Sequence, residues 1–178
     1  IYSICEDRLG NIWMGTNAGL CKYDPSTGRF NTITLNKKLT AVQQVMAVNK
    51  DELMLRHERR LCLINTITQK EIPLTYKDSS GLHSISFSGS PLSKDQQENI
   101  YTLNHGYGDA TILKYDPTNK WFTELITLAV PEKFARHNRG YFYIDSRNHC
   151  WLSLGDEELH VYDLSSTAVK KDQLLQPV

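Results

Sequence analysis

At 178 residues, 40% of them hydrophobic and 10% aromatic, the chain is long enough to bury a substantial core. Its 20 basic and 20 acidic residues give a formal net charge of zero, so the basic excess that displaces counterions from nucleic acid is missing. No stretch approaches the roughly 18 consecutive apolar residues of a membrane-spanning helix, so no nucleic acid and no direct membrane contact is expected for this segment.

The chain begins with Ile1 rather than Met and shows no charged-then-apolar leader, so a segment excised or processed from a longer protein is expected. Residues 1–35 hold four short apolar runs separated by turn clusters at Asp7 to Asn11, Asn17 to Gly19 and Asp24 to Gly28. Each run is too short for a helix and rich in β-formers. Together they predict a four-stranded meander, with strands at Ile1–Glu6, Asn11–Thr16, Gly19–Asp24 and Arg29–Leu35.

The rest of the chain repeats this unit. Sliding the sequence by 41 residues lays Ile12-Trp13 on Leu53-Met54 and Tyr23-Asp24 on Ile64-Asn65 without a gap. The same shift lays Ile4 on Val45, Leu20 on Leu61 and Cys21 on Cys62. This second copy is degraded: the turn glycine is lost and the apolar positions persist. Leu39, Val42, Val45 and Met46 have helical spacing, yet their match to the opening strand predicts strand instead.

In the third copy Leu82 and Ile85 are read as the first apolar pair, and Asn99-Ile100-Tyr101 repeats Asn11-Ile12-Trp13. Leu113 to Pro117 repeats Leu20 to Pro25, less one residue, and the copy is lengthened by Ser88 to Glu98 and by His105 to Ala110. The first of these insertions is polar and expected to be flexible. In the fourth copy Asp145 to Trp151 matches Asp7 to Trp13, and Leu159 to Asp163 restates Leu20 to Asp24 after a one-residue insertion.

Trp13, Met54, Tyr101 and Trp151 thus recur at intervals of about 40 to 50 residues, the period of a four-stranded propeller blade. A small twisted sheet cannot bury both faces alone, whereas radial stacking covers them. Strands covered on both sides lose strict alternation, as in Leu61-Cys62-Leu63-Ile64. The expected fold class is all-β: about four blades of four antiparallel strands, a fragment of a larger seven- or eight-bladed β-propeller. The blades are expected at residues 1–39, 40–78, 79–130 and 131–178. The two unpaired blade faces of such a fragment invite self-association and contact with the remaining blades of a parent protein.

Ile4-x-Glu6-Asp7-x-x-Gly10-Asn11-Ile12-Trp13-Met14-Gly15-Thr16, followed by Gly19-Leu20-x-x-Tyr23-Asp24-Pro25 and Phe30, closely resembles the two-component regulator propeller repeat. The fourth copy keeps Asp145, Trp151, Leu159, Tyr162 and Asp163; the third keeps Tyr101 and Tyr115-Asp116-Pro117. The resemblance implies the periplasmic sensor region of a Bacteroides-type hybrid two-component system, anchored in the inner membrane. In that family a histidine kinase and a DNA-binding response regulator follow, and oligosaccharides released from glycans are sensed. None of those effector segments lies in this chain.

The recurrent residues are assigned to structure. Trp13 and Trp151 offer sugar-stacking surfaces, but a position shared by two copies is a packing position. Asp24, Asp116 and Asp163 are expected to accept hydrogen bonds from the turns that follow them. Glu6 and Asp7 are adjacent on a strand and point to opposite faces, whereas a glycosidase needs two carboxylates facing one bond. No nucleophile elbow, phosphate loop or dinucleotide fingerprint is present, so no catalytic residue and no cofactor is assigned.

Cys5, Cys21, Cys62 and Cys150 form no Cys-x-x-Cys pair and lie in apolar runs, where free cysteine acts as a small hydrophobe. A disulfide stays open if the compartment is oxidising. His57, His83, His105, His137, His149 and His160 lack metal-ligand spacing, so no metal site is expected.

Candidate ligand-binding residues lie where the copies depart from one another. Loops between second and third strands, and between one blade and the next, emerge on the face where propellers bind ligands. There the sequence puts His105, Tyr107 and Asp109, then Arg136, His137 and Arg139, with His57 and Arg59 from the matching loop of blade two. An aromatic ring among hydrogen-bonding groups suits a sugar, which offers an apolar face and a ring of hydroxyls. The leading expectation is a non-catalytic sensor of oligosaccharide. The alternatives are structural blades that mediate dimerisation, and a propeller-fold polysaccharide lyase or glycosidase.

Overall fold

The computed structural model describes residues 1–33, 41–57, 60–85, 91–105, 109–129, 141–153 and 159–164, with backbone alone at 105, 109, 128 and 129. The described residues are all-β, with no helix, and fall into two compact units, Ile1–Leu74 and Thr75–Val178. These are β-propeller blades.

In the first unit, β1 (Ser3–Glu6), β2 (Ile12–Thr16), β3 (Gly19–Asp24) and β4 (Arg29–Ile33) form an antiparallel meander in chain order. The second sheet repeats it with β5 (Val42–Ala47), β6 (Glu52–His57), β7 (Arg60–Asn65) and β8 (Glu71–Pro73). The strand expectation for Val42 to Met46 holds, and a register shift between Val42 and Gln44 explains the misleading helical spacing. A bulge inserts one residue, so the buried positions Val42 and Val45 fall three apart instead of two. Both sheets place apolar side chains in one core of Trp13, Leu20, Val42, Val45, Leu53, Leu55, Cys62 and Ile64. Fully burying each large side chain contributes about 1.5–3 kcal/mol.

In the second unit, the third sheet has six strands in the order β10-β9-β14-β13-β12-β11. They are β9 (Thr75–Asp78), β10 (Gly81–Ser84), β11 (Leu92–Lys94), β12 (Ile100–His105), β13 (Asp109–Asp116) and β14 (Trp121–Ala129). The fourth has three strands among the described residues: β15 (Tyr141–Ile144), β16 (His149–Ser153) and β17 (His160–Asp163). Tyr101, Leu103, Ala110, Ile112 and Ile126 meet Phe142, Ile144, Cys150 and Leu152 in their shared core.

One expectation is corrected. Leu82 does not open the third blade: it sits on β10, at the far edge of the sheet, and is 57% exposed. The inner strand is β11, inside the Ser88 to Glu98 segment read as a flexible insertion, where Leu92 and Ser93 are buried and pair with Thr102 and Tyr101. The physical reason is the hydrogen-bonding acid. Asp95 stands to Tyr101 as Asp7 stands to Trp13, and its carboxylate accepts from the Gln97 and Asn99 amides, Asn99 Nδ2 and Tyr101 Oη. A three-residue strand anchored by that turn prevails over a four-residue apolar pattern lacking it.

This turn recurs in three sheets. Asp7 accepts from the Leu9 and Asn11 amides, Asn11 Nδ2 and, at 2.7 Å, Trp13 Nε1. Asp145 accepts from the Arg147 and His149 amides and, at 3.0 Å, Trp151 Nε1. Gly10 (φ 78°), Glu98 (φ 65°) and Asn148 (φ 61°) occupy the same left-handed position in the three turns. In the second sheet Val48 replaces the acid, yet its amide still donates to the Glu52 carbonyl, as Asp7 does to Asn11. The outer turns repeat as well: Asp24, Asn65 and Asp116 each accept side-chain hydrogen bonds from the amide two residues on. The turn after Asp163 lies outside the described residues.

Neighbouring sheets within a unit are stitched by a serine. The inner strand is an edge, so its outward amides lack a ladder partner. The Val45 amide donates to Ser3 Oγ at 2.9 Å, and the Ile144 amide donates to Ser93 Oγ at 3.0 Å. Ser93→Ala leaves the Ile144 amide buried and unpaired and is expected to cost about 1–3 kcal/mol in urea denaturation. A loss within experimental error would show that the hydroxyl does not hold the two sheets together.

Candidate functional site

Of the eight candidate ligand-binding residues, Arg59, Tyr107, Arg136, His137 and Arg139 lie outside the described residues. His105 and Asp109 are described as backbone: they end β12 and begin β13, and His105 pairs in register with Ala110. His57 pairs with Arg60 at the matching end of the β6–β7 hairpin. Within its own sheet, each therefore flanks the connection between second and third strands, as Thr16 and Gly19 do in the first sheet.

His57 is the one candidate whose side chain is described, and it points inward. It is 7% exposed and lies on the face of the second sheet that carries Val42, Leu55, Cys62 and Ile64 into the first unit's core. The Cys62 thiol and the Glu71 carboxylate approach it from the next two strands. His57 Nε2, Cys62 Sγ and a Glu71 carboxylate oxygen all lie within 4.8 Å of one another. Nε2 is 3.4 Å from Glu71 Oε1 but is not aligned for a hydrogen bond, and it has no other partner. Burial, the Glu71 charge and a hydrogen bond to Glu71 push the Cys62 thiol well above its ordinary value.

Strand register builds this cluster. Cys62 lies directly across from Leu55, and hence diagonally from His57; Glu71 lies across from Ile64, and hence diagonally from Cys62. Sequence reasoning missed the cluster because metal-ligand spacings are read along one element, whereas these residues come from three strands. The signal available was the His57-to-Cys62 separation across a tight hairpin, which puts both on one face. The position of Glu71 depended on the register of the three-residue β8, which no repeat marker specified.

The repeat acids are fully engaged. Burial raises the Asp7 carboxyl, but hydrogen bonds from Trp13, Asn11 and the Asn11 and Leu9 amides outweigh it and hold the group below its ordinary value. The Trp151 indole, followed by the His149 and Arg147 amides, holds Asp145 well below the carboxylate range against the effect of burial. Glu6 is exposed while Asp7 is buried, so the two carboxylates do not share a face. Trp13 is buried and Trp151 half-buried, each tied to the acid of its own turn. Lys22 lies over the Trp13 ring and Lys114 over the Tyr101 ring, at 5.4 and 5.6 Å, which occupies equivalent aromatic faces in two blades. All four cysteines are unbridged; Cys62 and Cys150 are buried, and burial pushes the Cys150 thiol up to about 12.

The sheets and their repeated turns are those of β-propeller blades, the fold class expected from the sequence. Residues 1–18 match the family described as two component regulator propeller. The extracellular domain of the hybrid two component system BT3049 from B. thetaiotaomicron is similar with a TM-score of 0.60 and 14% identity, over 91% of this chain and 20% of that one. The extracellular domain of the one component system BT4673 from the same organism is similar with a TM-score of 0.52 and 21% identity, over 86% and 20%. Virginiamycin B lyase from Staphylococcus aureus is similar with a TM-score of 0.59 and 11% identity, over 92% and 52%. No curated protein sequence matches the chain. The chain therefore covers 20% of the length of each of the two extracellular domains, and at these identities the likeness is one of fold.

Proposed function

We propose that these blades are a non-catalytic segment of the periplasmic sensor region of a hybrid two-component regulator. The observation that supports this reading is the match of residues 1–18 to the regulator propeller, together with the likeness in fold to two extracellular domains of bacterial regulators. The ligand class is oligosaccharide. The groups that would receive it are His105, Tyr107, Asp109, Arg136, His137 and Arg139, with Arg59 from the second blade. Tyr107 would stack on a sugar face while Arg139 and Asp109 take hydroxyls. Ligand binding would shift the packing of propellers in the parent, which transmits the change across the membrane.

Calorimetry of the chain and of the intact parent regulator against a panel of glycan fragments tests the reading. Tyr107→Ala and Arg139→Ala are each expected to weaken binding by about 2 kcal/mol, roughly thirtyfold, as truncation of an anchoring aromatic or arginine does. An intact propeller that binds no member of the panel would sink the sensing role.

A second reading, blades that serve as an assembly surface, is favoured by one specific feature. The face of the first sheet turned away from the second carries Ile4 and Phe30 at 61% and 66% exposure, with Tyr23 stacked on Phe30 at 4.8 Å. Unchanged signalling by the parent carrying both Tyr107→Ala and Arg139→Ala would favour this role. Turnover of a polysaccharide by the chain would instead revive an enzymatic one.

A further inference from the structure

We propose that His57, Cys62 and Glu71 form a binding site for one zinc-class divalent cation, completed by solvent, inside the second blade. Three features of the geometry carry this. An imidazole nitrogen, a thiol sulfur and a carboxylate oxygen converge within 4.8 Å. This mixed donor set is that of borderline-soft zinc rather than of calcium or magnesium, which take oxygen. His57 is more than nine-tenths buried, and its Nε2 faces the other two donors with no hydrogen bond.

Three donor atoms converge on one point while Nε2 makes no hydrogen bond, and a cation between them would engage all three at once. Zinc bonds of about 2.0–2.3 Å put tetrahedral ligand atoms about 3.3–3.8 Å apart. The 3.4 Å separation of Nε2 and Glu71 Oε1 already meets that. The widest pair needs to close by about 1 Å, within reach of side-chain rotation.

The position in the fold says what the ion would do. The three ligands sit on β6, β7 and β8, one on each strand, so the ion would staple three neighbouring strands through their side chains. Strand β8 has three residues and three register pairs, the weakest attachment in its sheet, and it gains most. Glu71 keeps 26% of its side-chain surface exposed, which supplies the entry path and leaves the remaining coordination position to water. As the metal–sulfur bond forms, the Cys62 thiol gives its proton to solvent; no other bond changes and no redox step is involved.

The test uses the full 178-residue chain, reduced and freed of metal. Competition with a chromophoric chelator is expected to show one zinc ion per chain with sub-micromolar affinity. Cobalt in its place should show a thiolate-to-metal charge-transfer band. Cys62→Ser should abolish the band. Glu71→Gln should weaken zinc by more than the roughly 10–100-fold that loss of an outer partner costs. The double variant Cys5→Ser/Cys21→Ser should bind as the unaltered chain does. If Cys62→Ser does not fold, as judged by its unfolding transition, Glu71→Gln decides, since Glu71 is partly exposed on an edge strand. The proposal is overturned if no ion binds, if Glu71→Gln binds unchanged, or if binding follows Cys5 and Cys21. Any of these results would leave His57 and Glu71 as a close histidine–carboxylate contact only.

Discussion

Gly15→Ala is expected to destabilise the chain by about 3 kcal/mol, the upper end of the cost of overpacking. Gly15 is on β2, where the first sheet meets the second, and a Cβ added there would stand 2.6 Å from the Val42 carbonyl oxygen and 2.7 Å from Ser3 Oγ. Neither atom can yield cheaply. The first is backbone of the inner strand next door, and the second is the acceptor for the Val45 amide. A methyl group at Gly15 therefore presses the sheets apart at the point where a hydrogen bond joins them. Urea denaturation checks the magnitude, and hydrogen exchange at the Val45 amide checks the mechanism. A change below about 0.5 kcal/mol, the range of an inconsequential surface substitution, would mean that the two sheets do not meet as described.

Asp7→Ala is expected to cost a similar amount, about 3 kcal/mol, because one carboxylate serves several donors at once. Its removal strands the buried Trp13 indole N–H and leaves the Asn11 side chain and the turn amides to water. The same group makes stability depend on pH. Its folded carboxyl is held below its unfolded value. Its contribution is therefore complete above the unfolded pKa of about 4 and is lost as pH falls through the folded one. Asp145, depressed more strongly, contributes in the same direction over a lower range. The unaltered chain should lose stability on acidification below about pH 4, and Asp7→Asn should flatten that loss. An acid limb of unchanged steepness in Asp7→Asn would refute the assignment.

Legibility in the sequence followed the physics of repetition. Blades one and two were readable because Trp13 and Met54 sit in sheets with the same register: Trp13 pairs with Lys22 and Met54 with Leu63, nine residues on in each case. The recurrence of Asp145 and Trp151 exposed the fourth copy in the same way. The third copy misled because Leu82 and Ile85 carry the apolar pattern while β11 carries Leu92, Ser93 and Lys94, a strand defined by its turn and its neighbours rather than by hydrophobicity. The signal was present: Asp95, Asn99 and Tyr101 reproduce the spacing of Asp7, Asn11 and Trp13, and the hydrogen bonds they make are the same. The His57–Cys62–Glu71 cluster was less legible. Contacts that run across strands depend on register, and only two of those three strands carried a marker that fixed it.

The hairpin of β9 and β10 has a consequence for the solution behaviour of the chain. At nine residues, β14 is the longest strand among the described residues, and as an outer strand it would offer a long row of unpaired amides and carbonyls to any passing chain. Strand β9 instead lies parallel to it at Phe122 and Thr123, with Lys77 over the Trp121 ring at 5.2 Å. The new boundary, β10, has four residues, begins at a glycine and carries His83 tied to Asp78. The start of a long template for growth is thus covered by a short hairpin, so deleting it should favour strand-to-strand polymerisation while leaving the four-stranded sheet behind it intact.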